Sequence, residues 1–268
     1  MLEILHYPFF QNAIIGGILI SLIASILGIL VVMRKEANVT HSISNFLFLG
    51  IAVSLLFNGN YYLYSFLFGI IGSFLIFFIE KTRFITKEST KEIISQAGIA
   101  GGIFTIGFLG NLSLDINNFL FGSILFINRS DLILLSILLL ILYLCFYFFG
   151  KRFLSVIINQ DIAKTRGIKV DIYNLVFLIF LSIFISVSIK IFGILLIGAF
   201  LVIPANISKI ISPSLKLSFV ISSLISILGV VLGLFISYFL NTSSGATIVL
   251  ILILFFMFSI FWAKKGKT

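Results

Sequence analysis

The sequence predicts an all-α fold: a polytopic helical membrane protein with eight to nine transmembrane helices, in one integral domain over residues 1–268. Composition is the first observation, because 60% of the residues are hydrophobic and only 10% are charged, whereas about a quarter of a soluble domain is charged. The second observation is that the apolar residues form separate runs, most of them long enough to cross a bilayer. A single cysteine, Cys145, excludes a disulfide framework and a cysteine-based metal site.

Nine apolar runs follow one another along the chain. Arg34 and Lys35 end the first run, and the Asn-Gly-Asn sequence at 58–60 predicts a tight turn between the second and the third. The fourth run is rich in glycine, which indicates close helix packing. Eight spans are the alternative, because the seventh run is short. Polar residues interrupt 111–131, which predicts an interfacial segment. The runs are 10–33, 40–57, 61–79, 93–110, 132–149, 172–189, 191–207, 217–240 and 247–262.

The distribution of basic residues predicts the orientation. If the N-terminus lies outside and all nine runs span, the cytoplasmic side holds sixteen of the eighteen basic residues. Only Arg129 and Lys190 then face outward. The positive-inside rule requires this asymmetry. Contact between basic loops and anionic lipid also explains the net charge of +9 without nucleic acid.

The motifs of common membrane enzymes and ATPases are not found in the sequence. The terminal Gly-Lys-Thr at 266–268 resembles the end of a phosphate-binding loop, but Phe261 stands where the first glycine of that loop belongs. Zinc-protease and serine-hydrolase motifs and paired intramembrane carboxylates are missing too. We therefore expect neither ATP binding by that loop nor a membrane enzyme.

One stretch, FGILLIGAFLVIPAN at 192–206, predicts part of a functional path. Gly193 and Gly198 would let neighbouring backbones approach closely. Pro204 lacks a backbone N–H and disfavours helix at Ile203, so the helix is expected to end there. A short glycine-bearing segment that ends in a proline before basic residues indicates the wall of a translocation path. The alternative is a proline-terminated membrane helix with no further role.

A polar cluster lies near the start of the second run. Within it, His41 and Asn45 are four residues apart and share a face of the predicted helix. Polar groups at membrane depth usually face the bundle interior or a cavity, and an imidazole and an amide oxygen can both contact a divalent ion. The alternative is helix capping combined with hydrogen bonds between helices. The cluster consists of Asn38, Thr40, His41, Ser42, Ser44 and Asn45.

Four sequence pieces, in this order and spacing, resemble those of one protein family, and they extend over nearly the full length. They are PFFQNAIIGGILISLIASILGILVVMRK at 8–35, SISNFLFLGIAV at 42–53, FLFGSILFI at 119–127, and FGILLIGAFLVIPAN at 192–206 with SYFLNTSSGATIVL at 237–250. On these pieces the chain resembles the membrane permease subunit of bacterial ABC importers for zinc, manganese and iron.

The chain also departs from the pattern of that family. The family commonly has Asp and then Ser-His, four residues apart, where this chain has His41 and Ser44-Asn45. Asn-Thr-Ser at 241–243 replaces Asp-x-Pro, and Ser123 replaces an acidic residue. If the family positions touch the ion, this chain keeps two possible neutral donors and lacks the carboxylate. The choice among zinc, manganese and iron therefore stays open.

The resemblance implies the type II-like permease fold of an ABC importer in the bacterial cytoplasmic membrane. It implies a homodimer, driven by separate cytoplasmic ATP-binding subunits and supplied by an extracytoplasmic metal-binding protein. The divalent metal ion is then cargo, and no tightly bound cofactor is expected. Two alternatives remain: the related importers of haem, siderophores or cobalamin, and a membrane scaffold or enzyme without a transport cycle.

The resemblance also suggests roles for particular residues. A short helix over 205–216 is expected to dock in a groove of the ATPase, and the loop 159–169 is a second candidate. Arg129 and Lys190 would pair with acidic groups of the binding protein. The expected metal ligands are His41 and Asn45; the path residues are Ser44, Gly193, Gly198 and Pro204; the coupling residues are Ala205, Ile207, Lys209, Ile211 and Lys216.

Overall fold

The structure is a computed structural model that describes residues 7–82, 84–108, 120, 122 and 127–265. Most of the predicted interfacial segment 111–131, including Ser123, lies outside the described residues, as do residues 266–268. The described residues form ten α-helices and no strand. The helices are α1 (Pro8–Met33), α2 (Asn38–Leu56), α3 (Tyr61–Thr82), α4 (Lys87–Ile106), α5 (Arg129–Ile158), α6 (Gln160–Thr165), α7 (Val170–Phe192), α8 (Ile197–Ile211), α9 (Leu215–Leu240) and α10 (Ser244–Lys265).

Eight of the nine predicted apolar runs each overlap one helix and the seventh overlaps both α7 and α8, but fewer helices than predicted qualify as membrane spans. In the described ranges, seven are long and apolar enough, namely α1, α2, α3, α5, α7, α9 and α10, so the predicted count of eight to nine is corrected. Helix α4 begins at Lys87, and charged residues occupy its first two turns. Helix α8 has 15 residues, about 22 Å in length, which is shorter than the roughly 30 Å hydrocarbon core.

Polar residues define several helix ends. The predicted turn after α2 is present, with Asn58 in the left-handed region at φ 47° and the N–H of Gly59 donating to the Ser54 carbonyl at 2.9 Å. The Ser214 hydroxyl accepts the N–H of Leu217 and so caps the start of α9. At the other end of α9, Asn241 also adopts the left-handed conformation, at φ 51°. It is the first of the three residues at 241–243 where the chain departs from the family pattern.

The chain forms two compact units. The first unit comprises Met1–Lys35, Asn118–Leu140 and Ser188–Thr268. Within it, α8 packs against α1, α9 and α10, and α9 packs against α1 and α10. Gly28 of α1 lies directly against the Leu201 carbonyl of α8, where a Cβ atom would overlap the backbone. The absence of a side chain at this glycine therefore allows α1 and α8 to touch.

The second unit comprises Glu36–Asn117 and Ile141–Val187. Within it, α2 packs against α3 and α4. The hydroxyl of Ser73 in α3 donates to the Leu178 carbonyl of α7 at 3.1 Å, in a buried contact. Because both groups are removed from water, this bond holds α3 against α7 without leaving a buried polar atom unpaired.

Pro204 does not end a helix, contrary to the sequence prediction. It is buried inside α8, which continues from Ile197 to Ile211. A proline in this position removes one backbone hydrogen bond. Packing of α8 against three other helices of its unit offsets that loss. The predicted single helix over 205–216 is therefore also wrong, since α8 ends at Ile211 and Lys216 belongs to α9.

Candidate functional site

His41 and Asn45 lie next to each other on α2, as their spacing predicted. The side-chain nitrogen Nδ2 of Asn45 is 3.1 Å from Nε2 of His41. The His41 side chain is exposed, whereas Asn45 is buried. In this orientation the amide nitrogen donates, and Nε2 of His41 accepts in the tautomer that leaves it a lone pair. A half-turn of the Asn45 amide would present its oxygen at the same point, so both residues can offer a donor atom to one cation.

Asn45 has a second partner that the sequence analysis missed. Its Nδ2 also donates to the hydroxyl of Ser95 in α4, at 2.8 Å and fully buried. The two helices come this close because Gly98 of α4 lies against the backbone of Asn45 and Phe46, where a Cβ would overlap it. Hydrogen bonding between helices, the alternative reading of the polar cluster, is thus present. The spacing of Ser95, Gly98 and Gly102 at i, i+3 and i+7 was the available sequence signal.

Ser44, a predicted path residue, is turned toward its own helix. Its buried hydroxyl donates to the His41 carbonyl at 2.9 Å. Thr40 and Ser42 bond back to helix carbonyls in the same way. Ala37 occupies the N-cap of α2 without a side-chain capping bond, so capping does not account for the cluster. These three hydroxyls are satisfied locally, which leaves Asn38, His41 and Asn45 of the cluster, and the buried Asn45 amide already donates to Ser95.

The single chain offers few metal ligands. Among the described residues, no group of three or more His, Cys, Asp or Glu side chains lies close enough to hold one ion. His6 lies outside the described residues. One imidazole and one amide therefore make an incomplete coordination sphere, since zinc sites normally have four ligands. Such a pair suits transient contact with a passing ion better than permanent retention.

A charged cluster lies one helical turn from Ser95. Lys91 of α4 is buried, and its Nζ is 3.7 Å from Oε2 of Glu36 and 3.6 Å from Oε1 of Glu80. Lys87 approaches the other oxygen of Glu36 at 3.6 Å. Opposite charges thus hold together the start of α4, the end of α3 and Glu36, which precedes α2. The sequence analysis counted Lys91 only among the sixteen basic residues of the cytoplasmic side.

The predicted path residues of the first unit occupy the connection between α7 and α8. Gly193 adopts the left-handed conformation at φ +79°, and its N–H donates to the Ile189 carbonyl at 2.7 Å, which ends α7. The rings of Phe192 and Phe200 stack across this turn with centroids 4.1 Å apart. Gly198 is half-buried at the start of α8. The sequence prediction of close approach holds at Gly193, because a Cβ on Gly122 would overlap its backbone nitrogen.

The predicted coupling residues separate into buried and exposed members. Ala205 and Ile207 belong to the core of the first unit, each 1% exposed. Ile211 is 49% exposed, and Lys209 and Lys216 are exposed as well. The available surface is therefore the end of α8, the Ser-Pro-Ser turn at 212–214 and the start of α9, which we call the α8–α9 tip.

The predicted docking cations differ in their surroundings. Lys190 donates to Oδ2 of Asp131 at 3.0 Å, and the carboxylate side chain is only 2% exposed. The same oxygen accepts the N–H of Asn128 at 3.0 Å, which places the charge at the start of α5. Lys190 thus already has a partner within its own unit, whereas Arg129 is exposed. The Asn128-x-x-Asp131 spacing was the sequence signal for this cap.

Comparison with known proteins covers almost the whole chain. Residues 6–263 match the ABC 3 transport family. A protein of Haemophilus influenzae named "High-affinity zinc uptake system membrane protein ZnuB" is 29% identical over 94% of this chain and 97% of its own length. "Manganese import system permease protein ScaB" of Streptococcus gordonii is 30% identical over 97% of this chain and 94% of its own.

A solved structure agrees with the sequence relatives. In the structure described as PsaBC from Streptococcus pneumoniae in complex with Fab, one chain superposes on this fold with a TM-score of 0.86 at 28% identity. The match covers 96% of this chain and 93% of the other. Agreement of sequence and fold over the same length places the helices described above in one established architecture.

Proposed function

The chain belongs to the ABC 3 transport family, and we propose that it is the permease through which a divalent metal ion enters the cell. It is a multi-pass protein of the cytoplasmic membrane. The observation that carries the proposal is the full-length likeness to permeases named for zinc and manganese. Zinc, manganese and iron are the candidate cargoes. The ion is carried and not retained, so the chain needs no resident cofactor.

The energy for transport comes from another chain. The sequence contains no phosphate-binding loop of the Walker type, so a separate cytoplasmic ATPase supplies the work and this chain is not itself an enzyme. An extracytoplasmic binding protein delivers the ion. Two copies of the permease form the transporter. The family of ABC transporters supports the partner ATPase and binding protein, and the exposed α8–α9 tip is the surface available for ATPase contact.

The proposed ion path includes His41 and Asn45. His41 is exposed on the isolated chain although it lies on a predominantly buried helix, so a second copy can face it. Two imidazoles and two amides would then complete the coordination that one chain lacks. Neutral ligands bind a divalent ion more weakly than carboxylates do, which favours release. An imidazole suits zinc or iron better than an amide oxygen alone does.

Metal accumulation in cells tests this function. In a strain that lacks this chain, the content of zinc, manganese and iron is measured by mass spectrometry after growth in limiting metal. We expect a deficit in at least one of the three, restored by the wild-type chain only when an intact partner ATPase is present. Unchanged contents of all three metals under limitation would contradict the proposal.

A further inference from the structure

Two serine hydroxyls of α9 are buried without a hydrogen-bond partner among the described residues, namely those of Ser222 and Ser226. Ser222 is 1% exposed and Ser226 is 0% exposed. The two residues are four apart in the sequence, so they lie on the same face of the helix, one turn after the other. A buried hydroxyl without a partner is unfavourable for folding. The pair therefore needs a hydrogen-bonding partner in the folded protein.

Other serines of α9 make the local bond that is usual for serine in a helix. The hydroxyl of Ser223 donates to the Val220 carbonyl at 2.8 Å, and that of Ser237 donates to the Leu234 carbonyl at 3.1 Å. The two unpaired hydroxyls are not turned back to their own helix in this way. They are therefore directed at the helices that pack around α9.

The unpaired hydroxyls belong to a face of α9 that packs inside the first unit. Gly229 and Gly233 continue this face after Ser226, and a Cβ on either glycine would overlap Leu252 or Ile248 of α10. Helix α9 also packs against α1 and α8, and α8 packs against α10. Small residues along this face let the backbones approach closely. The hydroxyls are thus enclosed by neighbouring helices.

Both hydroxyls lie within a membrane-spanning helix. Helix α9 begins at Leu215 and is one of the candidate spans. At 1.5 Å per residue, Ser222 lies about 10 Å and Ser226 about 16 Å along its axis. Bulk water does not reach groups in the hydrocarbon core, so a partner for these hydroxyls has to be held by the protein.

The neighbouring helix α8 carries an acceptor without its regular donor. Pro204 is buried inside α8 and has no N–H, so the Phe200 carbonyl lacks the bond that residue 204 would make in a regular helix. Phe200 is 0% exposed. A carbonyl oxygen can accept a hydrogen bond and cannot donate one, so it requires an O–H or N–H group nearby.

The connection between α8 and α9 places this carbonyl at the level of the two hydroxyls. The short turn 212–214 joins the two helices, which pack against each other as an antiparallel pair. Phe200 precedes the end of α8 by as many residues as Ser226 follows the start of α9. The same is true of Pro204 and Ser222, which lie nearer to the turn. The two unpaired hydroxyls and the unpaired carbonyl therefore occur at one depth.

We propose that a water molecule binds between α8 and α9 and bridges the hydroxyls of Ser222 and Ser226 to the Phe200 carbonyl. Water has two donors and two acceptors, so one molecule can satisfy all three groups. Buried water in proteins typically makes about three hydrogen bonds to otherwise unpaired polar groups. The three groups are neutral, which favours water over an ion. Ordered water and serine side chains are known means of tolerating a proline in a membrane helix, and here they let α8 continue through Pro204.

Substitution by alanine tests the site through the sign of the change in Tm. If water bridges the three groups, Ser222→Ala and Ser226→Ala each break a hydrogen bond and should lower the Tm of the purified chain in detergent by about 2–4 °C. Ser237→Ala is the matched control on the same helix, because its hydroxyl bonds only to the Leu234 carbonyl, and it should lower the Tm less. A Tm that is unchanged or raised in both test variants would overturn the proposal, since removal of a hydroxyl without a partner is neutral or stabilising.

Pro204→Ala tests the connection to the Phe200 carbonyl. Alanine returns an N–H to position 204, and this N–H can donate to Phe200 and replace the water. The decrease in Tm caused by Ser226→Ala should then fall to less than about half of its value in the wild type, as for two residues that share one partner. An equal decrease with and without Pro204 would overturn the bridge to Phe200.

Radiolytic labelling detects the bound water without reference to stability. A short X-ray pulse converts bound water into hydroxyl radicals, which oxidise adjacent side chains even where these are buried. We expect oxidation of Phe200 and Pro204 in the wild type, at least about twofold lower in the variant with both serines replaced, because its site has lost two of three partners for water. Phe10 is the control, since it is equally buried but packs against aromatic rings.

Two results of these measurements would also contradict a water site. Oxidation of Phe200 and Pro204 no greater than that of Phe10 would show that no water is held beside them. A Tm that rises when sodium replaces choline at constant ionic strength, and does so only while both serines are present, would show that the site holds a cation and not water.

Discussion

The amide of Asn45 donates to the Ser95 hydroxyl at 2.8 Å, across the contact between α2 and α4. This bond connects the exposed His41 to a helix on its buried side, because the same amide nitrogen lies 3.1 Å from the His41 ring. One face of α4 carries Lys91, Ser95 and Gly98 in turn. Lys91 lies near Glu36, just before α2, whereas Ser95 and Gly98 contact α2 itself. The position of the proposed ion ligands therefore depends on how α4 packs against α2.

Substitution of Ser95 tests this dependence. Ser95→Ala removes one buried hydrogen bond, which should lower the free energy of unfolding by about 1 kcal/mol. It should also reduce metal uptake, because the Asn45 amide loses the partner that holds its orientation. Ser42→Ala is the control, since that hydroxyl bonds only to the Asn38 carbonyl within α2. Equal uptake by the two variants, at equal amounts of protein, would argue against an orienting role for Ser95.

The close approach of α4 at Gly98 predicts a large effect of one methyl group. A Cβ there overlaps the Asn45 carbonyl and the Cα of Phe46, and neither backbone atom can rotate away. Gly98→Ala should therefore destabilise by about 1–3 kcal/mol, the usual range for overpacking. Gly150→Ala provides the contrast, because its Cβ would meet only Phe146 at 3.8 Å in the middle of α5. That change should stabilise by up to about 1 kcal/mol, and thermal unfolding in detergent measures both.

The buried cation of the charged cluster predicts a second difference in stability. Lys91→Met leaves Glu36 and Glu80 without the ammonium group between them, and should cost about 3–5 kcal/mol. Lys87→Met removes a more exposed cation and should cost about 0–1 kcal/mol. Adding Glu80→Gln to Lys91→Met should recover part of the loss, because it removes one of the two carboxylates that the Lys91 ammonium group had balanced. Failure of that double variant to recover any stability would show that Lys91 acts through packing alone.

The predictions of family, helical fold, membrane location and transport class are confirmed. They depend on composition, run length and the order of motifs, which are readable without three-dimensional contacts. The number of spans was overestimated because the fourth and seventh runs are as apolar as membrane spans. The fourth run belongs to α4, which has charged first turns, and most of the seventh forms the short α8. Local propensity at Pro204 predicted a helix end, and packing around α8 overrode it.

The sequence analysis predicted His41 and Asn45 of the proposed ion site but not Ser95, the hydrogen-bond partner of Asn45. The spacing of His41 and Asn45 correctly predicted a shared helix face, since that relation is local. Ser95 lies fifty residues further along the chain, and Lys190 lies fifty-nine residues from Asp131. Such pairs depend on how helices meet, which hydropathy does not encode.

Lys190 was expected to face a binding protein, and its pairing with Asp131 leaves Arg129 as the exposed cation for that prediction.

The α8–α9 tip predicts how the coupling residues differ. Ile211→Asp places a charge on an exposed position, so the permease should fold normally but retain less ATPase when the complex is purified. Ile207→Asp places a charge in the core, where burial of an unpaired carboxylate should unfold the first unit. Thermal unfolding and co-purification with the ATPase separate the two effects. If Ile211→Asp retains the ATPase and full uptake, the ATPase docks elsewhere, and the loop 159–169 is the next surface to test.

His41 provides the most direct test of the ion path. Its ring is exposed, its Nε2 lies 3.1 Å from the Asn45 amide nitrogen, and no cluster of three metal-binding side chains occurs among the described residues. His41→Ala should therefore lower metal uptake about tenfold or more without loss of assembled protein, since removing even a hydrogen-bond partner of a metal ligand typically costs about tenfold or more. His41→Asp should partly restore uptake, because a carboxylate can replace the missing donor and favours a hard ion such as manganese. Uptake is measured with each metal separately, and protein amount is checked in the purified complex. Normal uptake by His41→Leu would mean that the ring only packs against its neighbours, and the path would then be sought along Gly193, Gly198 and Pro204.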